Sequence, residues 1–164
     1  MITAGKIKYA QLCDVLERSG YTDERRDALL FTLDFEVFRQ TGRAVTAAPY
    51  VAAPYAAVNP WPTISWAWRD FATPWHQFSF GSFTRRELRV LGRLIDTFRW
   101  TSARDLPQPN DVIRDPWAQI CLASIPAGDP VPYALVLDDR PDSVSIDCAE
   151  ARAGEAALAA ALCK

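Results

Sequence analysis

The chain has 164 residues, 49% of them hydrophobic and 23% charged, which is typical of one globular domain rather than a disordered segment. Its formal net charge of −2 argues against a general nucleic-acid binder, which needs clustered basic residues to displace phosphate counterions. Because it has no leader-like segment and no run of about 18 apolar residues, we expect a cytoplasmic protein outside the membrane.

Two helices are predicted in the first 41 residues. Residues 6–19 place a stripe of apolar side chains on one helical face, and Gly20 is suited to end that helix. The next helix is expected to start at a cap formed by Asp23 and to end at Gly42. It is apolar over most of its circumference, so we predict that it lies at the centre of the fold. Asp34 falls on this apolar face and therefore needs an arginine or backbone amides as partners.

A proline-rich stretch and an aromatic segment follow the second helix. Residues 47–62 contain four prolines, which disfavour a helix and predict extended or turning chain, with a short edge strand at residues 50–52. Residues 61–83 hold four of the six tryptophans and four of the eight phenylalanines. Two interpretations stay open: the rings cover the helical core, or two or three of them reach the surface and contact a partner. Stacking of single-stranded nucleic acid would need a positive groove, and the segment contributes only Arg69 to one.

The second half of the chain begins with a helix whose start is marked by a capping box, in which Thr84 and Glu87 each satisfy an unpaired amide. Ser102 is placed to cap a short helical turn, and Pro116 to start a helix over residues 115–123. On the capped helix, the residues expected to face the core are Leu88, Leu91, Leu94, Ile95 and Phe98. The arginines expected to stay outside are Arg85, Arg89, Arg93 and Arg99.

The C-terminal part is predicted to contain a β-hairpin and a helix. Residues 132–138 alternate like a strand, and residues 144–146 are placed to pair with them across a turn at residues 139–142. Asp147 and Glu150 give a cap signal for an alanine-rich helix. The predicted fold is therefore mainly α (α+β). It is one compact helical domain over residues 1–164, with a small β element near residues 131–146 and a C-terminal helix.

Residues suited to catalysis or metal binding are sparse. The only histidine is His76, and nothing near it resembles the motif of a nucleophilic enzyme. The glycines form no phosphate-binding loop, and no metal-ligand spacing occurs. We therefore predict no enzymatic activity, no catalytic residue, no metal and no cofactor. Reduced, buried thiols are expected for the four scattered cysteines: Cys13, Cys121, Cys148 and Cys163.

Several landmarks resemble the Panacea domain. The stretch LLFTLDFEVFRQTGRAVTAAPYVAAPYAAV (residues 29–58) is similar to the family's order of apolar helix, Asp, Thr-Gly-Arg, Thr and a Tyr/Pro stretch. Here that order is supplied by Asp34, Gly42-Arg43, Thr46, Tyr50 and Pro54-Tyr55. Residues 83–88 resemble the family's F-s-x-x-E-L, residues 102–106 its S-A-x-x-L, and residues 115–117 its x-P-W. Residues 28–120 would form the Panacea-like core, and residues 131–164 an accessory element. Ala56-Ala57 stands where the family has Gly-Pro.

Panacea domains occur in antitoxins of bacterial and phage toxin–antitoxin pairs. The resemblance therefore implies a non-enzymatic protein that binds and neutralises a toxin, and a relative that delivers its toxin to an AAA+ protease implies a second partner. It also implies that Asp34 ties its helix to the following turn, with Arg43 as its partner. The residues expected to contact a protein partner are Arg43, Tyr50, Tyr55, Trp61, Trp66, Trp68 and Trp75.

Three alternatives stay open. The first is a phage or prophage accessory protein that inhibits or triggers a host defence factor. The second is a transcriptional repressor, although the N-terminal residues are too few and too weakly basic for an added helix-turn-helix. The third is a hydrolase, which would have to use His76.

Overall fold

The computed structural model of the chain describes residues 4–52, 63–64 and 79–145. Five α-helices lie in these ranges: α1 (Ala4–Arg18), α2 (Asp23–Thr41), α3 (Arg85–Trp100), α4 (Pro109–Val112) and α5 (Pro116–Ser124). Short 3₁₀ turns occur at Phe80–Ser82, Ala103–Asp105 and Tyr133–Val136. Two strands, β1 (Tyr50–Val51) and β2 (Thr63–Ile64), pair antiparallel, with Tyr50 opposite Ile64. The prediction of a mainly helical fold with an edge strand at residues 50–52 is confirmed.

Helix α2 forms the centre of the fold. Its N-cap is Thr22, whose hydroxyl accepts from the Arg25 amide, so the predicted cap at Asp23 is off by one residue. At its other end Gly42 adopts φ 70°, the left-handed conformation that favours glycine, and its amide donates to the Phe38 carbonyl at 2.7 Å. Both α1 and α3 pack against α2, as do α4 and the Tyr133–Val136 turn. The predicted central helix is therefore confirmed.

Helix α3 begins as its sequence predicts. The Thr84 hydroxyl accepts from the Glu87 amide, and the Glu87 carboxylate accepts from the Thr84 amide at 2.6 Å. The same carboxylate pairs with Lys8 of α1 at 2.7 Å, so the cap also fastens α3 to α1. The predicted inner face is confirmed, because its residues are buried or packed against the core: Leu88, Leu91, Leu94, Ile95 and Phe98.

The predicted β-hairpin near residues 131–146 is wrong for the described residues up to 145. Tyr133–Val136 forms a 3₁₀ turn, and residues 137–145 contain a turn and irregular chain but no strand. Pro132 lacks the amide hydrogen that a strand would donate, and Tyr133 packs on Phe35 and Phe38 of α2 instead. The segment therefore covers the central helix rather than pairing with itself. The predicted C-terminal helix lies outside the described residues.

Candidate functional site

A buried carboxylate joins α2 to the chain that follows it. Asp34 is 0% exposed and accepts from the Thr46 amide at 2.7 Å and from the Thr46 hydroxyl. The Tyr50 hydroxyl donates to it at 3.0 Å. The Tyr133 hydroxyl lies 3.4 Å from the same carboxylate and donates to the Ala48 carbonyl at 2.8 Å. We call Asp34, Thr46, Tyr50 and Tyr133 the Asp34 cluster.

Burial dominates the electrostatics of the Asp34 cluster. It raises the pKa of Asp34, although the hydrogen bonds from Thr46 and the tyrosines favour the charged carboxylate and oppose this shift. The pKa of Tyr50 is raised by burial and by the neighbouring Asp34 charge, and so is that of Tyr133. The two phenols therefore stay protonated and remain available as donors. Aromatic packing of Phe31 and Phe35 against Tyr50 encloses the cluster further.

The structure corrects the Arg43 partner that the resemblance implies for Asp34, whereas the predicted alternative of a backbone-amide donor is confirmed by the Thr46 amide. Its hydrogen bonds come from Thr46, Tyr50 and Tyr133, whereas Arg43 is exposed at the surface. The backbone between Gly42 and Thr46 turns back toward α2, which brings the Thr46 amide rather than the Arg43 guanidinium to the carboxylate. Asp34 does tie its helix to the following turn, as the resemblance implies. These hydrogen bonds give Asp34 a structural role, because a fully buried carboxylate needs such donors to offset the cost of its burial.

A second polar cluster anchors residues 138–145 to α2. Arg39 is only 2% exposed, and its guanidinium donates to Glu36 at 2.6 Å and to Asp142 at 2.6 Å. Its backbone carbonyl accepts from the Val144 amide at 2.8 Å. The pKa of Asp142 is lowered to about 2, chiefly because Arg39 hydrogen-bonds its charged form. Arg39 therefore fastens residues 142–144 to the C-terminal part of α2.

The two predicted partner-binding residues that the structure describes, Arg43 and Tyr50, differ in their exposure to solvent. Arg43 is exposed at the surface. Tyr50 is 1% exposed, so its ring packs in the core rather than facing a partner. The remaining predicted contacts lie outside the described residues, as does His76: Tyr55, Trp61, Trp66, Trp68 and Trp75.

Large apolar side chains lie on the surface, among them Phe80 of the aromatic segment and Trp117 of the x-P-W-like stretch. Trp100 and Ile120 were not singled out from the sequence. Trp100 at the end of α3 is 84% exposed, and Trp117 of α5 is 72% exposed. Ile120 lies three residues after Trp117 on the exposed face of the same helix, and Phe80 is also exposed. The exposure of Trp117 and Ile120 could have been predicted from helical periodicity. Their i, i+3 spacing places them on one face of α5, away from the buried Ala118. Aromatic residues on the surface are typical of protein interfaces.

The predicted outward arginines are confirmed as exposed: Arg85, Arg89, Arg93 and Arg99. Cys13 and Cys121 are free; Cys13 is buried as predicted, and burial raises its pKa to about 11, whereas Cys121 is only partly buried. Cys148 and Cys163 lie outside the described residues. The described part of the chain contains no group of three or more His, Cys, Asp or Glu side chains placed to hold a metal ion. None of its helices combines the length and apolar character needed to cross a membrane.

No protein-family model matches the chain, and no curated protein or solved structure is significantly similar to it. The resemblance to Panacea domains therefore stays a prediction that depends on the motifs quoted above.

Proposed function

We propose that this chain is an antitoxin-like binding protein that inhibits a partner protein by covering the partner's working surface. Such inhibition needs no catalytic group. It needs an interface of roughly 1,600 Å² with a few aromatic and arginine anchors.

The observation that carries the proposal is the convergence of three landmark positions on one buried carboxylate. Asp34, Thr46 and Tyr50 are separated by up to 16 residues, yet they form one hydrogen-bonded group. A chance likeness of short motifs gives no reason for these residues to meet. Their contact supports a common structural core with Panacea domains, and hence the function implied by that resemblance.

The later landmarks also have structural roles at helix starts and in the core. Phe83 is buried beside the capping box of α3, and Leu106 is buried at the end of the S-A-x-x-L-like stretch. Asp115 caps α5 by accepting from the Ala118 amide at 2.8 Å, with Pro116 in the first turn. These later landmarks therefore build the scaffold. The residues that stay predicted partner contacts are Arg43, Tyr55, Trp61, Trp66, Trp68 and Trp75.

The proposal is tested by co-expressing this chain with the product of the neighbouring reading frame. We expect that product alone to stop the growth of a bacterial host, co-expression to restore growth, and the two chains to purify as a complex. If the neighbouring product is harmless and does not bind, the antitoxin-like function is wrong.

The predicted contacts are tested in the same complex. Trp66→Ala combined with Trp68→Ala should weaken binding by at least about 2 kcal/mol, because large aromatic anchors dominate interface energies. Trp117→Ala, which removes an exposed ring from α5, is the comparison, and an equal loss of affinity there would place α5 in the interface as well. An unchanged affinity in the folded double variant would place the interface elsewhere.

A further inference from the structure

Helix α3 carries a row of exposed arginines. Arg85, Arg89 and Arg93 follow one another at i, i+4 and i+8, about 6 Å apart along the helix axis. All three are exposed, and within the described part of the chain they form no ion pair or hydrogen bond. Trp100 lies on the same stripe, about 10 Å beyond Arg93. We call Arg85, Arg89, Arg93 and Trp100 the α3 arginine face.

The neighbouring charges leave this face positive. Glu87, the acidic residue of the first turn, points inward to Lys8 and cannot neutralise the exposed arginines. Arg86 donates to the Gln40 carbonyl at 3.3 Å, and the Arg99 guanidinium lies 5.9 Å from the centre of the Trp100 ring. Asp96 is the one exposed acidic residue of the helix. Five of the 18 basic residues of an acidic chain thus lie on one 16-residue helix.

The arginines of this face make α3 less stable than the same helix would be with neutral residues at these positions. Arg85 lies at the N-terminus of the helix, where the helix dipole disfavours a positive charge by about 0.3–1 kcal/mol. The two i, i+4 arginine pairs repel each other, at a cost of about 0.2–0.5 kcal/mol each. Asp96, three residues after Arg93, is the nearest exposed carboxylate on the helix, but the described residues show no ion pair between it and these arginines. Exposed positive charge that finds no ion-pair partner within residues 4–52, 63–64 and 79–145 suits a surface that binds carboxylates.

The geometry points to the α3 arginine face as a docking surface for an acidic protein segment, one that presents carboxylates at one-turn spacing and an apolar side chain for Trp100. Because the chain is proposed to work by binding, this names the chemical class of its partner. Guanidinium groups match carboxylates in shape and can bind them through two hydrogen bonds. Trp and Arg are also the residues that dominate interface energies.

A nucleic acid fits the face less well. Double-stranded DNA carries one charge per about 1.7 Å, so its binding depends on a broad basic surface. Here the basic strip is one helix wide, Asp96 interrupts it, and the chain as a whole has a net charge of −2. A protein segment brings few charges and can supply the apolar contact that Trp100 needs.

The test uses the full chain and a labelled helical peptide with glutamates at i, i+4 and i+8 followed by a leucine, with fluorescence anisotropy as the readout. We expect the peptide to bind, and a version with glutamines in place of the glutamates not to bind. Arg89→Glu combined with Arg93→Glu should weaken binding by at least about 10-fold, and Trp100→Ala by about 5-fold or more.

The matched control is Arg18→Glu combined with Arg114→Glu, which changes the net charge equally but at exposed arginines outside α3. Equal losses in the two double variants would mean non-specific attraction and would overturn the inference, as would failure of the glutamate peptide to bind. Tighter binding of a single-stranded DNA, or of anionic lipid vesicles, at physiological salt would replace the protein partner with that class. Circular dichroism confirms that each variant is folded.

The two proposals can fail separately. Peptide binding without neutralisation of the neighbouring product would reject the antitoxin-like function and keep the arginine face. Neutralisation that survives Arg89→Glu with Arg93→Glu would keep the function and remove α3 from the interface.

Discussion

The Asp34 cluster on α2 contains a buried, hydrogen-bonded charge, whereas the α3 arginine face carries exposed charges. On α2, one carboxylate at 0% exposure receives hydrogen bonds from Thr46 and Tyr50, residues brought to it by the fold. On α3, three guanidinium groups stand in solvent without an acceptor in the described chain. The two helices pack against each other, so the buried carboxylate and the exposed arginines belong to neighbouring helices of the same fold.

This difference separates residues that hold the fold from residues that are free for another task. A buried charge persists only if its partners offset the cost of removing it from water, so each member of the Asp34 cluster is needed. An exposed charge has no such requirement, and a row of like charges on a helix is mildly unfavourable. Substitutions in the first region should therefore damage stability, and substitutions in the second should damage binding alone.

The largest expected effect is loss of stability on removing the central carboxylate. Asp34→Ala leaves the Thr46 amide, the Thr46 hydroxyl and the Tyr50 hydroxyl without their acceptor. Since each buried donor left unpaired costs about 1–3 kcal/mol, we expect the free energy of unfolding to fall by roughly 3–5 kcal/mol. Urea denaturation followed by circular dichroism measures this change.

Asp14→Ala is the matched control for that substitution. Asp14 pairs with Arg18 at 2.9 Å on the exposed side of α1, and such surface pairs contribute at most about 1 kcal/mol. If the two alanine variants unfold with similar free energies, the Asp34 cluster does not hold α2 to the following turn.

Replacing two helical glycines with alanine should change the stability by intermediate amounts, with opposite signs at the two positions. A Cβ added at Gly5 of α1 would overlap the carbonyl oxygen of Thr46, the residue that bonds Asp34. Gly5→Ala must push the turn away, and we expect a loss of about 1–3 kcal/mol, as in other overpacked sites. At Gly92 of α3 an added Cβ meets nothing within 4 Å, so Gly92→Ala should stabilise the helix by up to about 1 kcal/mol. Thermal unfolding of both variants distinguishes them, and a stabilising Gly5→Ala would contradict the close approach.

Local signals were sufficient to predict the helices and their starts. The Thr84–Glu87 capping box and the Asp115-Pro116 start depend on residues three or fewer positions apart, and both are observed. The outward arginines follow from helical periodicity in the same way. Helix α2 is central because its apolar stripe is too wide for one partner.

Long-range contacts could not be predicted from the sequence. The residues around Asp34 lie 12, 16 and 99 positions away, and nothing in their local sequence shows which donor will reach the carboxylate. The resemblance implies Arg43 as the partner of Asp34, but the backbone places the Thr46 amide there. The hairpin prediction was wrong for the same reason, because Tyr133 packs against α2 and donates to Ala48 instead of continuing a strand.

The smallest expected change in stability comes from reversing the charge of Arg85 on α3, and it tests directly whether this arginine serves the fold or binding. Arg85→Glu places a negative charge at the N-terminus of α3 and a favourable i, i+4 pair with Arg89, so it should stabilise the protein by about 0.5 kcal/mol. Arg99→Glu makes the same charge change in the last turn, where the dipole favours a positive charge, and should destabilise it slightly. Denaturation of both variants tests the signs. A gain in stability at Arg85 together with weaker binding of the acidic peptide would mean that the arginine serves recognition at the expense of the fold. Destabilisation by Arg85→Glu would instead make this arginine part of the scaffold and remove the distinction between the two regions at that position.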